Sequence, residues 1–590
     1  MQLRNVPLFL GAILPVAQAA LRLHTLNLTY GTNNADGTTR EAWLINGQTP
    51  GPHLVWDEGD DVSVKVLNNG HEPVTIHWHG LEQVGTPWSD GVPGMTQWPI
   101  PPGGDFKMQL DDGLKGTLYI RPNPNKPKPF NQISNSTSTL KNTGWPNGSV
   151  PMLNNFALII YSVANGKGPV KCPNMTEINA IAAPEQKPLT KKGNKIMFPY
   201  PESRPEMVEP SMWYNCTNSN TTFEVFTVKK SNGWAHRYYR TAEPFGIFVF
   251  PSTRTRCTSV GYRPGGLHSS TNHPLLVAAD GHYTKVQVAT SILIPIGERY
   301  QFFVKLDQPV GDYVIRTAAV VLPQLISGYA ILSYVNSGKT GAGVVEKYAL
   351  PAAKKPVSYI DYAGNIINGG VDLVQANLSP FPASPPPQAK FYYQLHRDNS
   401  FSIPIGNSWH EPKDDFTPLL FQPGQIASLD PTVYFSYPNG TLVDLIFTVT
   451  AGNPAMHPPH PMHKHGVKAW FLGSGDGPFP YASVKEAVDA GYKGINLKNP
   501  PLRDDFVTPV AMTGQAWAAV RFRAVDPGPI VLHCHIDAHL ATGMVIGTFQ
   551  VISGGRGDKC SPPSYIALLE GPEKLTGDCV PSYYLTKNKS

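Results

Sequence analysis

Short runs of alternating apolar and polar residues, each closed within about eight positions by Gly, Pro, Asn or Asp, recur along this chain. Asp61-Val-Ser-Val-Lys-Val-Leu67, Arg299-Tyr-Gln-Phe-Phe-Val-Lys-Leu306, Leu442-Val-Asp-Leu-Ile-Phe-Thr-Val449 and Ala518-Ala-Val-Arg-Phe-Arg523 are four of them. A period of two sends successive side chains to opposite faces, so each run predicts a strand with one buried face. Such a strand hides its apolar face only in a sheet packed on a second layer. With 54 glycines, 59 prolines and only 15% charged residues, the chain has the turns of an all-β protein. Its 590 residues exceed a single core, which predicts a series of β-sandwiches. The Pro-rich stretch from Ser379 to Pro387 reads as a linker between the second and third units. Helix is minor, with one piece expected at Ser483–Ala490.

The N-terminus carries Arg4, an apolar stretch from Val6 to Val16 and the small-x-small triplet Ala17-Gln18-Ala19, the pattern of a signal peptide over 1–19. Sequons at Asn27, Asn135, Asn147, Asn174, Asn220, Asn377 and Asn439 suit an exported glycoprotein. Secretion, or display at the cell surface or wall, is the expected location. The polar tail after Val551 has no apolar span or lipid-anchor signal, so no membrane anchor is expected. The net charge of +5 is not gathered into a basic run, which argues against a nucleic-acid partner. Cys172 with Cys216, and Cys560 with Cys579, are two pairs that an oxidising compartment would allow to bridge, though spacing leaves the pairing open. Cys257 has no obvious partner.

Cys534 sits in His533-Cys-His535-Ile-Asp-Ala-His539, followed by Met544, a setting that suits a metal ligand better than a bridge. On a strand His533 and His535 face one way and Cys534 the other, so one short segment can serve two metal centres back to back. Cys534 and His539, a further histidine and a weak thioether such as Met544 make the two-histidine, one-cysteine set of a blue-copper site. In His460-Pro-Met-His463-Lys-His465, His463 and His465 share a face, while His460 has opposite parity and is free to complete that site. His77-Trp-His79 is a third same-face pair. A lone H-x-H is commonly a surface feature, whereas three pairs, one enclosing a cysteine, point to a metal cluster.

Over most of its length the chain resembles the multicopper oxidases. The resemblance runs through His77-Trp-His79-Gly80, Thr86-Pro-Trp-Ser-Asp90-Gly91 and the pattern from His533 to Met544. Asp111-Asp-Gly-Leu-Lys-Gly-Thr-Leu-Tyr-Ile-Arg-Pro122, His457–His465 and Asn499-Pro-Pro-Leu-Arg-Asp504 are similar to the fungal laccase-like group associated with conidial pigment. The resemblance implies three cupredoxin-like Greek-key sandwiches, placed at 20–158, 159–340 and 391–590 with a linker at 341–390. It further implies a type 1 copper that takes electrons from substrate and a trinuclear type 2 and type 3 cluster that reduces dioxygen to water. Carried over by position, His460, Cys534 and His539 are type 1 ligands with Met544 axial. His77 and His463 belong to type 2, and His79, His465, His533 and His535 to type 3. Asp90 resembles the family carboxylate that helps deliver protons, and it also has the place of a turn residue before Gly91. His457 has no copper role by its spacing.

The family's fourth ligand segment, another H-x-H, has no match. Spacing from His79 would put Arg121 and Asn123 in its place; the residue pattern instead favours a loss of roughly twenty residues, about two strands and a turn, between Met108 and Gln109. That loss leaves six of the family's eight cluster histidines, truncates the first sandwich and predicts weak or absent oxygen reduction. A natural degeneration and an incorrect exon boundary both account for it. From His236 to His268 alternation is poor, which fits either a further exon irregularity or a variable surface loop. The expected activity is one-electron oxidation of a phenol, such as an aromatic polyketide or pigment precursor. A ferroxidase and a non-catalytic accessory protein that acts by binding are the rivals.

Overall fold

A computed structural model describes residues 20–33, 40–48, 51–52, 54–83, 86–110, 118–121, 127–129, 245–251, 255–259, 275–295, 297–305, 311–319, 327–334, 359, 366, 368–388, 393–400, 417–421, 434–438, 440–451, 459–525, 528–535 and 544–551. The expected leader, Cys172, Cys216, Cys560, Cys579, His457 and His539 lie outside the described residues, as do the sequons at Asn135, Asn147, Asn174, Asn220 and Asn439. No helix among the described residues is long and apolar enough to cross a membrane.

The strands form three consecutive groups of two sheets. In the first group, β1 (Leu21–Asn33), β2 (Arg40–Ile45), β4 (Asp61–Asn68) and β5 (Asp105–Leu110) make one sheet in the order β2-β1-β4-β5, while β3 (Leu54–Asp57) pairs with β6 (Leu118–Arg121). Val62, Val64 and Val66 of β4 are buried with Trp56, Trp78 and Phe106, as the alternation of valines requires. Strand β5 runs across Met108 and Gln109 with unbroken antiparallel register on β4. Arg121 is paired with Asp57. The second layer of this group has two strands among the described residues, against four and five in the layers that follow.

The second group adds β7 (Phe245–Pro251), β8 (Thr255–Ser259), β9 (Leu275–Ala279), β10 (His282–Val288), β11 (Ser291–Ile294), β12 (Arg299–Lys305), β13 (Gly311–Ala319) and β14 (Ser327–Tyr334), in the sheets β10-β9-β12-β7 and β11-β8-β13-β14. Strands β7 and β8 correct the surface-loop alternative for His236–His268. The aromatic and β-branched content of Phe245–Pro251 and the threonines of β8 suit strands; every residue of β7 pairs with β12 at the edge of its sheet, and β8 lies between β11 and β13. The stretch after this group is no free tether either: Leu373 and Leu378 join its core, the Ser379 hydroxyl donates to the Asn499 carbonyl, and Trp470 Nε1 donates to the Ser384 carbonyl.

The third group has β15 (Tyr393–Ser400), β16 (Tyr434–Pro438), β17 (Leu442–Thr450), β18 (His460–Lys464), β19 (Ala469–Asp476), β20 (Leu502–Arg503), β21 (Asp505–Thr508), β22 (Gln515–Arg523), β23 (Gly528–Cys534) and β24 (Val545–Val551). Its sheets run β15-β17-β22-β19-β20 and β16-β24-β23-β18-β21. The expected helix is present as α1 (Val484–Asp489), with the Ser483 side chain accepting from the Glu486 amide as its N-cap. One expectation changes: β17 and β22 are buried on both faces, because the outer face, which carries Ile446, Trp517 and Ala519, packs against Val484 of the helix and against Phe479, Tyr492, Ile495 and Leu497. The polar members of the alternation therefore pair inside the sheet, where Arg521 Nε and Nη2 donate to the two Asp444 oxygens at 2.6 and 2.9 Å.

Candidate metal centres

Strand β23 ends at Cys534 between its sheet neighbours β18 and β24, with Met462 opposite Cys534 and His463 opposite His533. Cys534 Sγ lies 3.7 Å from His460 Nδ1, and both residues are fully buried. The Cys534 amide donates to the Met544 carbonyl at 2.9 Å, and Met544 is buried in the same cluster as Met462, Phe506 and Leu532. A thiol, an imidazole and a thioether are thus gathered in an apolar shell. His539 lies outside the described residues.

On the other side of Cys534, six histidines meet in three facing pairs. His77 Nε2 is 3.4 Å from His463 Nε2, His465 Nε2 is 3.3 Å from His533 Nε2, and His79 Nδ1 is 3.3 Å from His535 Nε2. His77 and His79 come from an extended segment and turn rather than the expected strand. The alternation survives there, because Trp78 turns the other way into the first core, its Nε1 donating to Met108 Sδ at 3.1 Å. Gly91 holds this segment close to the Asp90 turn: its φ is +79° and a Cβ there would stand 1.9 Å from the Ile76 carbonyl oxygen.

The outer nitrogens of these rings fix their tautomers. His77 Nδ1 donates to the Asp90 carbonyl at 2.7 Å, His463 Nδ1 to the Asp504 carbonyl at 2.9 Å, and His533 Nδ1 to the Cys534 carbonyl at 2.9 Å. His465 Nδ1 donates to Asp90 Oδ2 at 2.8 Å, and His79 Nε2 to Asp504 Oδ1 at 3.3 Å. With the proton on the outer nitrogen, the inner nitrogen of each of these five rings presents a lone pair. Lone pairs facing each other across 3.3–3.4 Å repel unless a cation lies between them. Imidazole binds a first-row ion at about 2.0 Å, so two nitrogens at this separation are spaced so that one ion could be held by both. Burial holds the imidazoles in the neutral, ligating form: His79, His463 and His533 are pushed well below the usual histidine range, and His535 to about 4. The donor set therefore fits copper or another divalent cation. Metal-sized groupings also include His77 with His79 and His463, His77 with Asp90 and His465, and His79 with Asp505 and His535.

Asp90 caps the short turn Pro87–Ser89 and is buried against His465 and His77, so the place expected of a turn residue and contact with the cluster coincide. Burial alone would raise its pKa, but His465 and His77 beside it hold it below the usual carboxylate range. At this position it fixes the His77 and His465 rings, contacts that the motif alone did not reveal.

Four further groups escaped the sequence, because they are brought in from three separate segments. Asp504 accepts from Arg299 Nη1 and Nη2 at 2.5 and 2.8 Å and from Lys468 Nζ at 3.0 Å, all fully or nearly buried. This carboxylate joins the second sandwich to the third while holding His79 of the first. Its neighbour Asp505 opens β21 directly across from His463, and neither of its buried carboxylate oxygens has a hydrogen-bond partner. Burial, together with Glu298, Asp280 and Asp504, pushes Asp505 well above the usual carboxylate range.

Known proteins with matching features complete the description of the site. Three family models described as multicopper oxidase match residues 27–130, 232–337 and 400–553. The chain is 31% identical to laccase abr2 of Aspergillus fumigatus, over 90% of this chain and 94% of that one. It is 32% identical to laccase-1 of Emericella nidulans, over 90% and 96%. Its fold is similar to that of the Botrytis aclada laccase, with a TM-score of 0.56 and 19% identity over 90% of this chain and 88% of that one.

Proposed function

The chain belongs to the multicopper oxidases and is a copper-dependent oxidoreductase, and from that premise we propose a secreted, laccase-like enzyme that oxidises phenols one electron at a time at the expense of dioxygen. Aromatic polyketides or pigment precursors are the proposed substrate class, in keeping with the relatives named as laccases. When bound, copper supplies one-electron exchange at the Cys534 pocket and reduction of dioxygen to water at the histidine cluster.

The proposed type 1 copper would be held by His460, Cys534, His539 and Met544, type 2 by His77 and His463, and type 3 by His79, His465, His533 and His535. The chain's own contribution is arrangement. Met462, Phe506 and Leu532 keep water from the thiol, while Asp90 and Asp504 hold ring protons away from the cluster interior. Cys534 is bonded through one peptide to His533 and through another to His535, so three consecutive residues connect the two pockets. That continuity, with Cys534 Sγ 3.7 Å from His460 on one side and paired histidines on the other, is the observation that carries the proposal. With two histidines instead of three for each of the two type 3 ions, oxygen turnover should be slow relative to an eight-histidine relative.

The test is to express the chain as it stands, count bound copper and record visible absorption alongside oxygen uptake. An intense thiolate-to-copper band with phenol-dependent uptake is expected. A colourless protein sinks the oxidase, and faster uptake with ferrous iron than with any phenol turns the assignment to a ferroxidase. Colour without turnover on either leaves the accessory, binding role.

A further inference from the structure

We propose that Asp505 is the third protein ligand of the ion held by His79 and His535, giving that pocket two imidazoles and a carboxylate. This rests on the copper cluster proposed above.

One donor atom from each of the three residues lies within 4.8 Å of the other two. Asp505 is fully buried and neither oxygen has a hydrogen-bond partner, a costly state for a carboxyl group unless something absent from the protein's own atoms completes it. The neighbouring cations direct their bonds elsewhere: Arg299 Nη1 and Nη2 and Lys468 Nζ to Asp504, and Arg503 Nε to Asp280 at 2.6 Å, while Arg299 Nε, itself without a hydrogen-bond partner, makes no bond to Asp505. What remains to complete Asp505 is an ion on its histidine side.

The backbone is shaped for this contact. Asp505 is the cross-strand partner of His463, so its side chain stands on the face of the sheet that carries the cluster. Gly297 lies behind it with φ +96°, and a Cβ there would be 1.9 Å from Asp505 Oδ2 and 2.7 Å from His535 Cδ2. Any other residue at 297 would drive carboxylate and imidazole from their present positions. Among the described residues the pair His465 and His533 has no equivalent on its facing side: Asp90 bonds the outer nitrogen of His465, and the third neighbour within reach is His463, which already faces His77. The two type 3 pockets are therefore chemically unlike. An added oxygen donor is harder than imidazole and favours divalent over monovalent copper, so the His79–His535–Asp505 ion should be the more firmly held in the oxidised protein.

The experiment compares the full chain with Asp505→Asn and Asp505→Val. Copper is counted after exhaustive dialysis, the copper-free forms are titrated with Cu(II), and their thermal midpoints are recorded. A ligand predicts opposite signs: in both variants one ion is lost or bound at least about tenfold more weakly with the thiolate absorption unchanged, and copper-free Asp505→Val melts higher because an unpartnered buried polar group is gone. Unchanged copper content with unchanged Cu(II) affinity overturns the proposal whatever the melting behaviour. Copper loss in a copper-free protein that is less stable or insoluble also overturns it, since a merely structural carboxylate would behave so. A wild-type chain that takes up no copper removes the cluster as well.

Discussion

The two sides of β23 are built on contrasting principles. Around Cys534 the protein offers Met462, Phe506, Leu532 and Met544, an apolar shell supplied by the third sandwich alone. Around His533 and His535 it offers buried acids and bases drawn from all three sandwiches: Asp90 from the first, Arg299 from the second, and Lys468, Asp504 and Asp505 from the third. A thiolate centre needs its water removed and its geometry fixed, which one well-packed core provides. A cluster of several ions brings a large positive charge into the interior, and only a surrounding set of fixed counter-charges and oriented imidazoles makes that tolerable.

The sharpest way to separate the sides is Cys534→Ser. Visible absorption and phenol oxidation should fall below detection and one copper should be lost, while the ions at the six histidines stay. Retained colour would show that Cys534 is not the chromophore.

Asp504→Ala attacks the opposite side. It strands Arg299 and Lys468 without their partner, which costs about 3–5 kcal/mol, and it frees the His79 ring. Denaturant midpoints should record the destabilisation, and the thiolate band per folded molecule should persist. Equal loss of both signals would show that the two sides are not independent.

Glu298→Gln is the mildest. Burial first, then Asp280, pushes Glu298 up to about 7, against Arg503 and the Tyr300 hydroxyl, which donates to it. A carboxyl with a raised folded pKa gives stability that is whole below its unfolded value near 4.5 and lost as pH climbs through about 7. On the order of 3 kcal/mol rides on that window, and glutamine, a neutral mimic, should flatten it. Urea midpoints followed from pH 4.5 to 8 decide: parallel profiles for wild type and variant mean that Glu298 does not titrate there.

The contrast also governs what could be read without a structure. The thiolate side was legible because its signal is local: Cys534 and Met544 are ten positions apart, and the parity of His460 against His463 needs only a strand to have meaning. The strands themselves were legible wherever valines alternate, as in β4. Strands β7 and β8 were missed because their ladders, on β12, β11 and β13, lie far along the chain. Asp504 was seen only as part of a motif, and Asp505 not at all, because an acid in sequence looks solvated until Arg299, more than two hundred positions away, is placed beside it. The Pro-rich stretch at 379–387 looked like a tether because composition does not show that the Ser379 and Ser384 polar groups dock on the third sandwich.

Two of the three facing pairs, His77 with His463 and His79 with His535, have one ring on the first sandwich and one on the third. An ion in either place is a crosslink over a seam of the molecule, closing a loop of several hundred residues at a modest entropic cost because such costs grow slowly with length. The affinity of the cluster for metal is thereby also the adhesion between two domains, and loading the site changes how cooperatively the whole chain melts.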